Sequence, residues 1–152
     1  MNPELIKPFL KATQKVLEAM ANLPSTPGKP HFKKDRAARG DVSGVVGLAG
    51  DMEGSLSITF SETCICAIVS RMFGETMPEI NAEVEDAVGE ITNIISGDSR
   101  RELAEQGVVL QGAVPSVIVG KGHRIRHMSQ VMPLAVPFST EAGDFVIEVC
   151  LG

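Results

Sequence analysis

Strand-like runs grouped on either side of a pair of helices predict an α+β fold, an antiparallel-rich sheet built from two hairpin-containing halves with helices packed on one side. Three observations carry that prediction. Val42 to Ala49 and Ser55 to Phe60 are apolar runs separated by Gly50-Asp51-Met52-Glu53-Gly54, the grammar of a hairpin. Met132–Phe138 and Phe145–Leu151 repeat it across a turn containing Thr140, Glu141 and Gly143. Between the hairpins, apolar residues recur at helical rather than strand spacing. The shared plan suggests an internal repeat, although hairpins share this grammar in general. At 152 residues the chain fits one domain spanning 1–152.

In chain order, Asn2-Pro3-Glu4 reads as an N-cap, a first-position proline and a first-turn acid. Leu5, Ile6, Phe9, Leu10, Val16, Leu17 and Met20 then follow helical spacing to the neighbourhood of Leu23-Pro24, with Pro8 near the first turns, where a missing N–H costs least. Residues 24–40, with the basic residues Lys33, Lys34, Arg36 and Arg39, read as a solvated connector. Ser61 opens a second helix through Phe73, closed by Gly74. A longer helix runs from Ala82 to about Glu105 and stops at Gly107. Val108–Leu110 and Ser116–Val119 read as short strands, and Lys121–Ser129 as a polar, basic stretch.

Composition removes several function classes. A net charge of −5 opposes nucleic-acid binding, which needs a basic footprint, and gives no attraction to anionic lipid. With no Trp or Tyr, base stacking and aromatic cages are poorly served. Hydrophobic residues at 43 % and a mean hydropathy of +0.12 oppose disorder. Three cysteines are an odd number, and Cys64 and Cys66 are too close to bridge within a helix, so reduced thiols in a reducing compartment are expected. No signal-peptide plan opens the chain and no apolar run approaches about 18 residues, so the expected location is the cytoplasm.

The candidate chemistry sits on the third helix. With Val84 at the centre of the apolar stripe, Ala87, Val88, Ile91, Ile94 and Ile95 fall within roughly 80° of it. Asn93 falls opposite, with Glu90 about 60° from it on the same arc. Gly89, Ser96 and Gly97 flank the pair and are small enough to admit a partner's backbone. Each glycine costs about 1 kcal/mol relative to Ala inside a helix, a waste on a plain solvated surface. The spacing alone is weak: 13 Glu and 4 Asn make a chance E-x-x-N expected in roughly one such chain in three.

The surrounding run D-A-V-G-E-I-T-N-I-I-S-G, Asp86 to Gly97, resembles the active-site helix of the CheC/CheX/FliY chemotaxis phosphatases. Further segments resemble that family in the same order: Ile6–Phe9, Asp41–Gly47, Gly54–Ile58, Pro115–His123, Pro137-Phe138 and Gly143–Phe145. A single E-x-x-N is similar to the CheX branch. The resemblance implies hydrolysis of the phosphoaspartate of a CheY-like response regulator, with Asn93 orienting the attacking water and Glu90 pairing with the partner's lysine. It implies no cofactor of the chain's own, Mg²⁺ supplied by the partner, and a homodimer. Thr92, and Asp98 to Arg101, depart from the family's usual small or apolar residues and are expected to influence partner choice. The alternative is a non-catalytic module that uses the same face to bind a response regulator or a flagellar-switch component.

Other candidates read as structural. His123 and His127 lie in an alternating segment with no third ligand, so no metal site is expected. Cys64, Cys66 and Cys150 form no C-x-x-C and read as core thiols. Lys121, Arg124 and Arg126 read as charges on a strand edge or surface.

Overall fold

The computed structural model describes residues 2–33, 37–126 and 131–152. A 3-10 turn, Pro3–Ile6, leads into helix α1, Lys7–Ala21, and Asn2 Oδ1 accepts the Glu4 N–H at 3.0 Å. Asn22 ends α1 in the left-handed region at φ 48°, returning its N–H to the Glu18 carbonyl. Helix α2, Glu62–Phe73, starts at Ser61, whose Oγ accepts the Cys64 N–H, and stops at Gly74 with φ 69°. Helix α3, Ala82–Glu105, is capped by Asn81, whose Oδ1 accepts the Val84 N–H at 3.0 Å. Both central helices keep the expected bounds because caps and spacing are local signals.

The strands form one antiparallel sheet. Strands β3, Ala37–Gly50, and β4, Gly54–Phe60, make the first hairpin; β7, Leu134–Thr140, and β8, Gly143–Leu151, make the second. The hairpins lie side by side because β4 pairs with β8, placing Ile58 opposite Ile147 and Phe60 opposite Phe145. Two short strands, β1 (Ser25–Pro27) and β2 (His31–Phe32), pair along the outer edge of β7. Strands β5, Leu110–Gly112, and β6, Ser116–Arg126, follow one another along the outer edge of β3.

Strand alternation then decides burial. Val42, Val46, Leu56, Ile58, Phe60, Val136, Phe138, Phe145, Ile147 and Val149 turn one face to the helices and are all essentially inaccessible. Phe138 stacks on Phe145 with ring centroids 5.0 Å apart. The α1 stripe of Phe9, Ala12, Val16 and Leu17 closes the same core.

Three sequence expectations need correction. The strand expected at Val108–Leu110 starts only at Leu110 and runs to Gly112, because the Val109 N–H goes to the Asp51 carboxylate at 2.8 Å. Residues 24–40 are more than a connector: they hold β1, β2 and the first residues of β3, and Lys33 Nζ lies 3.6 Å from the buried Glu148 Oε1. The stretch after Val119 continues β6 to Arg126, paired with Ala37–Gly40. Ala37–Gly40 and the end of β6 lack apolar alternation, and each becomes a strand only through backbone bonds to the other, whereas β1 and β2 form against β7. A bulge between Gly40 and Val42 leaves Asp41 out of the ladder. Its carboxylate accepts the Glu62 N–H at 2.8 Å and the Gly122 N–H at 3.3 Å, joining the start of α2 to β6.

Candidate active site

Helix α3 is held by its apolar stripe: Val84, Ala87, Val88, Ile91 and Ile95 are buried, and Ile94 is half-buried against the core. That orientation leaves Glu90 and Asn93 exposed on the opposite side, one turn apart. They line an open depression of about 490 Å³, together with Gly89 of α3 and Gly112, Ala113, Val114 and Pro115 from the β5–β6 connection. Val114 is 87 % exposed, so the depression has an apolar lip facing the polar pair. The sequence reading missed that lip; an isolated valine between Ala113 and Pro115 was its available signal.

The flanking residues divide. Gly89 is half-buried, and a Cβ there would meet Val117 Cγ2 at 3.4 Å, ordinary contact distance. Gly97 faces open space, with nothing within 4 Å of a Cβ. Ser96 departs from expectation: it is fully buried, and its Oγ accepts the Arg100 Nε–H at 3.1 Å. It therefore braces the helix beneath and cannot touch a partner. On the wheel Ser96 lay at the margin of the exposed arc, and the close approach of Gly112 covers it.

Thr92 also departs from expectation. It is fully inaccessible, donates from Oγ1 to the Val88 carbonyl at 2.7 Å, and fills the space above Gly44. A buried side chain does not choose partners by contact, so its role is to seat α3 on β3. Asp98, half-buried, pairs with Arg101 at 3.1 Å.

None of the remaining candidates that the structure describes lines the depression. His123 Nε2 is 2.8 Å from Ser43 Oγ, which is 2.7 Å from Thr59 Oγ1, and His123 Nδ1 is 2.9 Å from the Gly120 carbonyl. His127 lies outside the described residues. Cys64, Cys66 and Cys150 are buried and unpaired with one another, and burial followed by the nearby Asp144 charge pushes the Cys64 thiol up to about 11. Lys121 is exposed on β6, the strand that also carries Arg124 and Arg126. Among the described residues, no three His, Cys, Asp or Glu side chains cluster as metal ligands. No helix of the described residues is long and apolar enough to cross a membrane.

The chain resembles known proteins over its whole length. It is 47 % identical to a chemotaxis protein CheX from Desulfovibrio desulfuricans, with a TM-score of 0.93 over 98 % of this chain and 99 % of that one. The Borrelia burgdorferi structure of a CheX-CheY-BeF3-Mg complex matches at 26 % identity and a TM-score of 0.79, covering 97 % of each chain. The CheY-P phosphatase CheX of Thermotoga maritima is 23 % identical over 154 residues, covering 100 % of this chain and 99 % of the relative. The family description "Chemotaxis phosphatase CheX" matches residues 42–139, a span that includes most of the first hairpin, α2, all of α3, the lip around Val114 and most of β7. The chain belongs to the chemotaxis phosphatase CheX family.

Proposed function

We propose that this protein hydrolyses the phosphoaspartate of a phosphorylated CheY-like receiver domain, with Asn93 orienting the attacking water and Glu90 docking the partner. One observation carries the reading: an exposed carboxylate and an exposed amide stand one turn apart on a helix seated firmly on the sheet, at the rim of an open depression. Two relatives support it by name, one as a CheY-P phosphatase and one as a complex with CheY, beryllofluoride and magnesium.

The chemistry asks little of this chain beyond position. Water oxygen attacks phosphorus in line, the bond from phosphorus to the aspartyl oxygen breaks, and phosphate and a free carboxylate leave. The Asn93 side-chain amide hydrogen-bonds the water and holds it on the attack line, without itself changing protonation state. Glu90 takes a cation of the partner, a lysine by family resemblance, and fixes the approach. The Mg²⁺ that neutralises phosphoryl charge belongs to the receiver's site. A receiver domain of this kind is cytoplasmic, and this reading places the protein there too.

A homodimer forms part of the proposal. Strand β6 pairs with β3 and, among the described residues, with no other strand, and it carries Ile118 and Val119 at 40 % and 45 % exposure. A second copy adding along that edge would cover both; light scattering should give twice the 16.2 kDa chain mass, and Ile118→Lys should return it to one.

The test of activity follows decay of the acyl phosphate on a phosphorylated receiver domain. The wild-type protein accelerates decay, and Asn93→Ala lowers kcat by about 100-fold with little change in KM, as loss of a positioning group predicts. Full activity in Asn93→Ala overturns the assigned role. Binding of the receiver without any acceleration favours the non-catalytic module.

A further inference from the structure

We infer that Arg100 is a second docking contact, a preset cation that receives a carboxylate at the rim of the partner's phosphorylation site. The inference rests on the proposed docking of a receiver domain against α3. Seven residues after Asn93, Arg100 returns to within about 20° of it on the helix and lies about 10.5 Å further along the axis. Glu90, Asn93, Gly97 and Arg100 thus form a strip that runs from anionic through neutral to cationic, with Gly97 offering only backbone between them.

Two features separate Arg100 from an ordinary surface arginine. Its Nε is bonded at 3.1 Å to the buried Ser96 Oγ, and its guanidinium lies over Gly112, where a Cβ would come within 2.9 Å of Nε and 3.0 Å of Cζ. The side chain is therefore held half-buried in one orientation, so little rotamer entropy remains to be lost on binding. Among the described residues, moreover, its terminal nitrogens meet no carboxylate, whereas Arg71 pairs with Glu141 and Arg101 with Asp98. In a chain of net charge −5, a fixed arginine left without an acid is a site prepared for one.

The helix dipole does not account for this residue, because that effect fades beyond the last turn and the last turn of α3 holds no basic residue. Nor is Arg100 a catalytic residue. With Nε tied to Ser96 and two turns of helix intervening, the guanidinium stays at its own end of the strip, away from an atom held by Asn93. Its contribution is to affinity and to the direction in which the partner lies along α3. A partner reversed on the strip would set its lysine against Arg100 and its acid against Glu90, two repulsions in place of two attractions.

The test titrates the protein with a CheY-type receiver domain activated by beryllofluoride and Mg²⁺, and in parallel measures acyl-phosphate decay. Arg100→Glu is expected to raise Kd and KM by about tenfold or more, Arg100→Ala by a few-fold, and Arg100→Lys least, with kcat at saturation held within about twofold. Raising the salt should shrink the gap between Arg100→Glu and wild type. An unchanged Kd in a folded Arg100→Glu overturns the inference. So does a fall in Tm and kcat with Kd unchanged, which would make Arg100 a brace for the β5–β6 connection and nothing more. If the wild type binds without hastening decay, the catalytic reading fails while Kd still judges Arg100; if the wild type does not bind, both fall.

Discussion

Thr92 occupies the space that a side chain at Gly44 would need: a Cβ on Gly44 would overlap Thr92 Oγ1 and lie 2.9 Å from Thr92 Cβ. The absence of a side chain on β3 lets α3 settle close to the sheet, and Thr92 fills the notch and keys the helix rotation. Asn93 and Glu90 inherit their outward direction from that seating. Gly44→Ala should cost about 1–3 kcal/mol through overpacking, visible as a lower urea midpoint with m unchanged. Adding Thr92→Ala should restore part of the loss. Strict additivity of the two changes would show that they do not share the notch.

Gly97 separates stability from docking. Its position is helical and nothing lies within 4 Å of a Cβ there, so Gly97→Ala should stabilise the fold by up to about 1 kcal/mol, a rise of about 3 °C in Tm. Gly97→Leu should remain folded yet bind an activated receiver domain several-fold more weakly, because the added bulk stands between Asn93 and Arg100. Equal affinity in Gly97→Leu and wild type would remove this strip from the interface.

Asp41 links the start of α2 to β6, and its carboxyl is held below the ordinary value of 3.8, chiefly by the hydrogen bond from the Glu62 N–H, with that of Gly122 adding to it. The charged form is the one the fold favours. Its contribution is complete above pH 3.8 and fades as pH falls through the lower folded value. Asp41→Ala should cost about 1 kcal/mol at pH 7. Chemical denaturation at successively lower pH should show the gap between variant and wild type narrowing; a gap that widens in acid would contradict the assignment.

The cysteines should be silent in the folded protein. With its thiol pushed from 9.0 to about 11, Cys64 carries about a hundredfold less thiolate at a given pH below both values, and Cys66 is raised in the same direction, chiefly by burial. All three side chains are buried. A disulfide reagent at pH 8 should label none of them within minutes under native conditions and all three in denaturant. Rapid native labelling would mean that α2 or β8 opens far more readily than its packing implies.

Local signals made much of this protein readable in advance. Ser61, Gly74 and Gly107 bracket helices whose apolar spacing is unbroken, and the hairpins announce themselves through alternation around glycine turns. The resemblance around Glu90 and Asn93 singled out the candidate pair, and the helical wheel placed both on the outward side that the structure retains. The failures share one cause. Ala37–Gly40 and Lys121–Arg126 have no apolar pattern and become strands only against each other, and Ser96 and Thr92 are polar residues buried by Gly112 and Gly44 from distant strands.

Where α2 and α3 begin and end, which stripe of α3 is apolar, and that an acid and an amide share its other side were thus legible in the chain alone, because all three depend on neighbours within a few turns. Long-range packing set how closely α3 approaches β3, put Val114 at the lip of the depression, and fixed Arg100 by Ser96 over Gly112. Those features depend on contacts between residues far apart in the chain, whose positions are set by sheet register and close packing rather than by any local preference.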